Sequence, residues 1–166
     1  MSNSLLGTLR DRPLLGDGAM GTQLQEAGLE SGGCGEAWNL DEPDRVVAIQ
    51  RRYVEAGSDC LITNTFGGSR LMLERHTANP DVVGINKAAV EVARRAFGDR
   101  DGFVLGDIGP FGGLMEPYGE ITRAEVDRAF AEQAKALVEA GADAIIVETQ
   151  TVLDEAGAAI AAAKAA

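Results

Sequence analysis

Glu139-Ala140-Gly141-Ala142-Asp143-Ala144-Ile145-Ile146-Val147-Glu148 is the stretch whose reading decides the fold. It reads as the end of a helix, a glycine that stops it, and a short apolar strand that finishes on a carboxylate. The same order recurs at Glu55-Ala56-Gly57-Ser58-Asp59, followed by Cys60-Leu61-Ile62-Thr63-Asn64. Leu14-Leu15-Gly16-Asp17 and Val104-Leu105-Gly106-Asp107 are two further apolar runs that end on an acid. Such an echo marks stacked βα units, and strands separated by helical stretches pair in parallel. A buried strand that ends on a carboxylate or amide presents that group at the C-terminal edge of the sheet. That edge is where parallel α/β folds bind ligands.

The segments between the runs supply the helices. One follows Pro43, with Asp44 as N-cap or first-turn residue; Val46, Ile49, Tyr53 and Val54 recur at helical spacing, and Gly57 ends it. A helix is expected near Arg70 to His76. Another is expected near Ile85 to Phe97, with Ile85, Ala89, Val92 and Ala96 as its apolar stripe. Thr122 with Glu125 reads as a capping box that opens a helix running to Gly141. The last helix is Leu153 to Ala166. Strands are expected at Leu14–Gly16, Cys60–Thr63, Phe103–Gly106 and Ala144–Val147. The connection from Gly28 to Asn39, with Gly32-Gly33-Cys34-Gly35, is too glycine-rich for a helix and too long for a simple turn; long loops of this kind are often functional.

Four βα units account for the chain, whereas a closed barrel needs eight and roughly 250 residues. The expected architecture is therefore α/β: a parallel (βα)4 half of a (β/α)8 TIM barrel. It forms a single domain over residues 1–166 that ends early. An open doubly wound sheet is the structural alternative, and it would leave an edge needing cover.

Composition narrows the function classes. With 45% hydrophobic and 25% charged residues, the 166-residue chain can bury a core as one globular domain. A formal net charge of −11 argues against nucleic acid and anionic membranes, which require clustered Lys and Arg. The first fifteen residues are interrupted by Arg10, Asp11 and Arg12 and do not read as a signal peptide. No apolar run is long enough to span a bilayer. The two cysteines, Cys34 and Cys60, make neither a disulfide framework nor a complete zinc site. A cytoplasmic setting is the default.

The candidate chemistry lies in the strand endings Asp17, Asn64, Asp107 and Glu148. Together they suit a polar small molecule such as one bearing an ammonium group, held by charge-assisted hydrogen bonds; the bland reading is that some of them cap turns or accept loop amides. Asp17-Gly18-Ala19-Met20-Gly21-Thr22 is neither a P-loop nor a dinucleotide fingerprint. Cys34 lies in the long loop without a nearby His or Lys, and Cys60 reads as a core residue. His76 reads as a surface residue. Lys87, Lys135 and Lys164 fall on helices rather than strand ends, which counts against Schiff-base chemistry. Trp38 either lines a pocket or packs under the loop. Oxygen ligands at Asp17, Asp107 and Glu148 would also permit a Mg2+ site. The residues alone identify no catalytic group and no metal ligand.

Taken in order, several motifs resemble the N-terminal half of the homocysteine S-methyltransferase family. They are Asp17-Gly18-Ala19-Met20-Gly21-Thr22, Glu36-Ala37-Trp38-Asn39-Leu40 with Pro43, Tyr53-Val54-Glu55-Ala56-Gly57-Ser58-Asp59, Thr63-Asn64-Thr65-Phe66-Gly67-Gly68, Gly106-Asp107-Ile108-Gly109-Pro110 and Val147-Glu148-Thr149. Within that family the bacterial betaine–homocysteine methyltransferases and the homocysteine module of cobalamin-dependent methionine synthase are the most similar. The resemblance implies a (β/α)8 barrel and zinc-dependent methyl transfer to the thiol of homocysteine, giving methionine. It implies that Asp17, Gly18 and Glu148 hold the amino acid end of homocysteine, with Asn64, Thr65 and Phe66 lining the same mouth. The family's zinc-binding cysteines, including a Gly-Gly-Cys-Cys pair, belong to the second half of the barrel and have no counterpart here. The chain on its own is therefore expected not to turn over. The methyl donor stays open among betaine, methylcobalamin and S-methylmethionine. A noncatalytic half-barrel that binds a small ligand or assembles with another chain is the competing expectation; the partners expected are homocysteine, a small methyl donor, and either a second copy of the chain or a missing C-terminal half.

Overall fold

A computed structural model describes residues 4–166. Eight helices and three strands follow one another in the order α1 (Leu5–Asp11), α2 (Gly21–Glu26), α3 (Trp38–Asp41), α4 (Pro43–Ala56), β1 (Cys60–Ile62), α5 (Arg70–Leu73), α6 (Val82–Phe97), β2 (Phe103–Ile108), α7 (Arg123–Glu139), β3 (Ala144–Val147) and α8 (Leu153–Ala165).

The three strands form one parallel sheet in the order β1-β2-β3. The run at Leu14–Gly16, expected as a strand, is reduced to a single parallel bridge between Gly16 and Cys60. The Leu15 carbonyl still accepts from the Asp59 and Cys60 amides, and Asp17 N–H donates to Cys60 O. Pro13 has no amide to extend the ladder upstream, so the segment runs beside β1 for one register only. Spatial order thus follows chain order throughout, with no reversal of the kind that defines a doubly wound sheet. The helices agree, because α4 packs on α6, α6 on α7 and α7 on α8. One layer of helices backing sequential parallel strands is the arrangement of a (β/α)8 barrel segment, and the doubly wound alternative is excluded.

Local sequence explains the elements. Pro43 occupies the first turn of α4, where its missing amide is no loss. Gly57 ends that helix at φ 107°, and Gly141 follows α7 at φ 92°. The sequence echo before β1 and β3 is therefore the same left-handed helix ending used twice. Asp44 sits in the first turn of α4, while Glu42 is the N-cap. In α6, Asp81 accepts from Gly84 N–H at 2.9 Å, so the helix starts three residues before the expected Ile85. The Thr122–Glu125 capping box is present in both directions.

The core lies between the helix layer and the sheet. Val104 and Ile108 of β2 are fully buried against Val126, Phe130 and Leu137 of α7 and Val90 and Ala93 of α6. Each such side chain contributes about 1.5–3 kcal/mol of apolar burial. With a period of two along the strand, Leu105 and Asp107 face the other side of the sheet. That side is where the site lies.

Candidate functional site

At the C-terminal ends of the strands a cavity of about 400 Å³ is lined by Asp17, Gly18, Ala19, Met20, Gly21, Ile62, Thr63, Asn64, Phe66, Asp107 and Glu148. Three of the four neighbouring parallel segments, all but β1, bring the acids together. Asp17 follows the Gly16 bridge, Asp107 is the fifth residue of β2, and Glu148 comes immediately after β3. Among the described residues no Lys, Arg or His lines the cavity.

The acids are held without a cationic partner. Asp17 Oδ2 accepts the Ile62 amide at 3.0 Å, while its Oδ1 is buried without a donor. Burial is the main cause that pushes the Asp17 carboxyl up to about 6, opposed by the Ile62 amide and assisted by the charge of Glu148. Asp107 is only 3% exposed, and its Oδ1 also lacks a donor. Burial, then the charge and hydrogen bond of Glu148, push Asp107 up to about 8. Glu148 N–H donates to Ile108 O at 3.2 Å, and Thr149 after it holds φ 57°. That left-handed conformation is costly for a β-branched residue, and it turns the chain sharply just beyond the carboxylate.

A hydrogen-bond frame fixes the mouth. Thr63 and Thr65 hydroxyls lie 2.6 Å apart; Thr65 donates to Asp107 O at 2.8 Å, and Asp107 N–H donates to Thr63 Oγ1 at 2.9 Å. Gln133 of α7 donates from Nε2 to Thr65 O at 2.8 Å and to Asp107 O at 3.1 Å. The long loop is tied down from the other side. Asn39 Nδ2 donates to Asn64 O at 2.8 Å, Asn64 Nδ2 donates to Gly35 O at 2.8 Å, and Gly67 N–H donates to Glu36 Oε1 at 2.7 Å. A Cβ on Gly18 would lie 3.1 Å from the Tyr53 ring, so a side chain there would require the ring to give way. Tyr53 in turn donates to Ala19 O at 2.7 Å.

The structure sorts the expected residues. Asp17, Gly18, Asn64 and Glu148 line the cavity, and Phe66 joins them at its rim. Thr65 does not: it is fully buried and braces β2 against the loop, because its hydroxyl is the link that satisfies the Asp107 carbonyl. The Asn64 side-chain amine is committed to the loop tether. Trp38 does not line the cavity; it packs against the core, with the Arg45 guanidinium 5.1 Å from its ring centre. Cys34 donates to Glu36 Oε2 at 3.6 Å and packs on Leu73, Val82 and Ile85; burial raises its thiol, as it does that of Cys60. His76 is exposed. Among the described residues no three His, Cys, Asp or Glu side chains are arranged to hold a metal ion. Sequence reasoning missed Gln133, Tyr53 and Glu36 as parts of the frame. Gln133 is a polar residue on the inward stripe of α7, and that was the available signal.

Comparison with known proteins agrees with this fold. A family model described as homocysteine S-methyltransferase matches residues 14–166. Methionine synthase of Mycobacterium leprae (strain TN) is 39% identical over 158 residues, covering 87% of this chain and 13% of its own length. Methionine synthase of Mycobacterium tuberculosis (strain ATCC 25618 / H37Rv) matches to the same extent. The crystal structure of the homocysteine methyltransferase MmuM from Escherichia coli, metallated form, superposes with a TM-score of 0.80 at 22% identity, covering 98% of this chain and 63% of that one. The chain thus spans about 13% of the length of these curated relatives and 63% of that solved structure. The backbone match extends the barrel assignment, and the family match over nearly the whole chain places it: the protein belongs to the homocysteine S-methyltransferase family.

Proposed function

We propose that this chain holds the amino acid end of homocysteine for transfer of a methyl group to its sulfur, giving methionine. In that reaction the donor–methyl bond breaks, a carbon–sulfur bond forms, and the thiol proton is lost. The observation that carries the reading is the convergence of Asp17, Asp107 and Glu148 on a cavity that has no cation of its own. A buried group of acids is stabilised by a ligand that brings positive charge, and an α-ammonium group supplies it through charge-assisted hydrogen bonds. Asp17 and Glu148 are the binding carboxylates in this reading. The Gly18 backbone lies beside them and Asn64 shapes the wall.

Zinc, which the family resemblance implies, does not fit the residues present. Cys34 is engaged by Glu36 and Cys60 lies in β1, so the two thiols do not form a zinc-ligand set. The methyl donor is of the betaine, methylcobalamin or S-methylmethionine class. Among the described residues no helix is long and apolar enough to cross a membrane, which is compatible with the cytoplasmic setting we propose.

Calorimetry with L-homocysteine and its des-amino analogue 4-mercaptobutyrate tests the reading. Homocysteine is expected to bind and the analogue to bind at least tenfold more weakly; equal binding would refute an ammonium site. The purified 166-residue chain is expected to form no methionine by itself, and turnover without another polypeptide would contradict the assignment of only the amino-acid-holding role.

A second reading, a docking half-barrel, is favoured by one feature. Beside β3 a groove of about 650 Å³ is lined by Val138, Ile145, Val147 and Ile160, and it contains the Gln150 amide, whose oxygen and nitrogen are buried without partners. A further βα unit or a second chain would pair with both the strand edge and that amide. Light scattering that finds a stable monomer at all concentrations would count against self-association.

A further inference from the structure

We propose that Asp107 carries a proton in the ligand-free site, and that the site releases this proton to solvent when it takes in the ammonium group of its ligand. The inference rests on the reading of the cavity given above and adds to it a chemical role for Asp107. The argument is geometric. Asp107 is 3% exposed and lines the cavity, and its Oδ1 receives no donor. Asp17 Oδ1 is in the same state. The charged groups that face Asp107 are all acids: Glu148 from the end of β3, within hydrogen-bond reach, Glu36 from the loop before α3, and Asp17 from the segment after the Gly16 bridge. The polar neighbours do not help its carboxyl. Thr63 and Thr65 bond the Asp107 backbone, and Gln133 bonds its carbonyl.

A buried carboxyl that lines one cavity with two further acids and no cation favours its protonated form. The titration of Asp107, pushed up to about 8, agrees with the geometry. An entering ammonium ion supplies the missing positive charge, so the carboxyl O–H bond breaks and its proton leaves to solvent. One positive charge enters as another departs, and the ammonium group keeps its own protons. Linkage then requires the affinity for an ammonium ligand to rise with pH while Asp107 is protonated in the free site, by up to about tenfold per pH unit.

The test is calorimetric titration of the purified chain with L-methionine at pH 7 in buffers of different ionisation enthalpy. Methionine shares the amino acid end and has no thiol proton to confuse the count. Release of about one proton per methionine bound is expected, with Asp107→Asn binding methionine almost without release at pH 7 and with an affinity nearly flat between about pH 7 and 8, above the Asp17 carboxyl at about 6. Binding with no proton release, or release that persists in Asp107→Asn, overturns the inference and leaves the proposed function standing. Absence of binding by both methionine and homocysteine overturns the proposed function. Infrared spectroscopy separates the two in that case, and also if Asp107→Asn fails to bind: a protonated-carboxyl band at pH 7 that Asp107→Asn removes supports the proton on Asp107, and its absence from the wild type overturns it.

Discussion

Replacing Asp17 by Asn is expected to stabilise the fold and weaken the site. The Asp17 carboxyl goes from 3.8 to about 6 on folding, mainly through burial. Between those values the folded chain binds more protons than the unfolded one, so stability falls as pH rises through this window and stays at the lower level above about 6. The full difference corresponds to about 3 kcal/mol. Asp17 is half-buried, and screening reduces this to about 1–2 kcal/mol. Asn keeps the acceptor for the Ile62 amide, which Asp17 Oδ2 serves at 3.0 Å. Asn also places an amine where the orphaned Oδ1 stands, facing the acids. Urea unfolding of both proteins from pH 4 to pH 8 measures the effect. The two should be equal near pH 4 and diverge in favour of Asp17→Asn by about 1–2 kcal/mol at pH 7, while homocysteine binding falls. A difference that does not change with pH, or a variant less stable at pH 7, would refute burial of an uncompensated charge as the cause.

Gln133→Ala removes two hydrogen bonds and leaves a void under the site. Both carbonyls keep another donor, from Gly68 N–H and from Thr65, so the loss is limited to about 2–4 kcal/mol in urea unfolding. A loss below 0.5 kcal/mol would show that the frame is not held from α7. Thr122→Ala breaks the capping box of α7 and should cost about 1 kcal/mol with no change in ligand affinity; a changed affinity would show that the helix start communicates with the cavity.

The repeated signals were legible because their causes are local. Gly57 and Gly141 stop helices by adopting a conformation that other residues resist, and this is visible in any reading of the sequence. The capping box and the apolar stripes of α6 and α7 depend on neighbours within a turn or two. The short helices α2 and α3 were not legible, since each is too brief to show a period. Nor was the shortening of the first strand to one bridge, because pairing depends on where Cys60 lies and not on Leu14–Gly16 alone. In the site, strand-end positions identified Asp17, Asp107 and Glu148 as candidates. Thr65 lies buried beside the cavity, and its bond to the Asp107 carbonyl, which no local pattern in the sequence announces, shows which way it faces.

By itself, the sequence determined the parallel βα order, the capped helix ends and the family, all carried by patterns in short contiguous stretches. Tertiary structure alone decided that three acids from chain positions 17, 107 and 148 share one cavity without a cation, and that burial and mutual repulsion hold two of them towards their protonated forms. Electrostatic environment is a property of the space around a group, and that space is assembled from residues far apart in the chain.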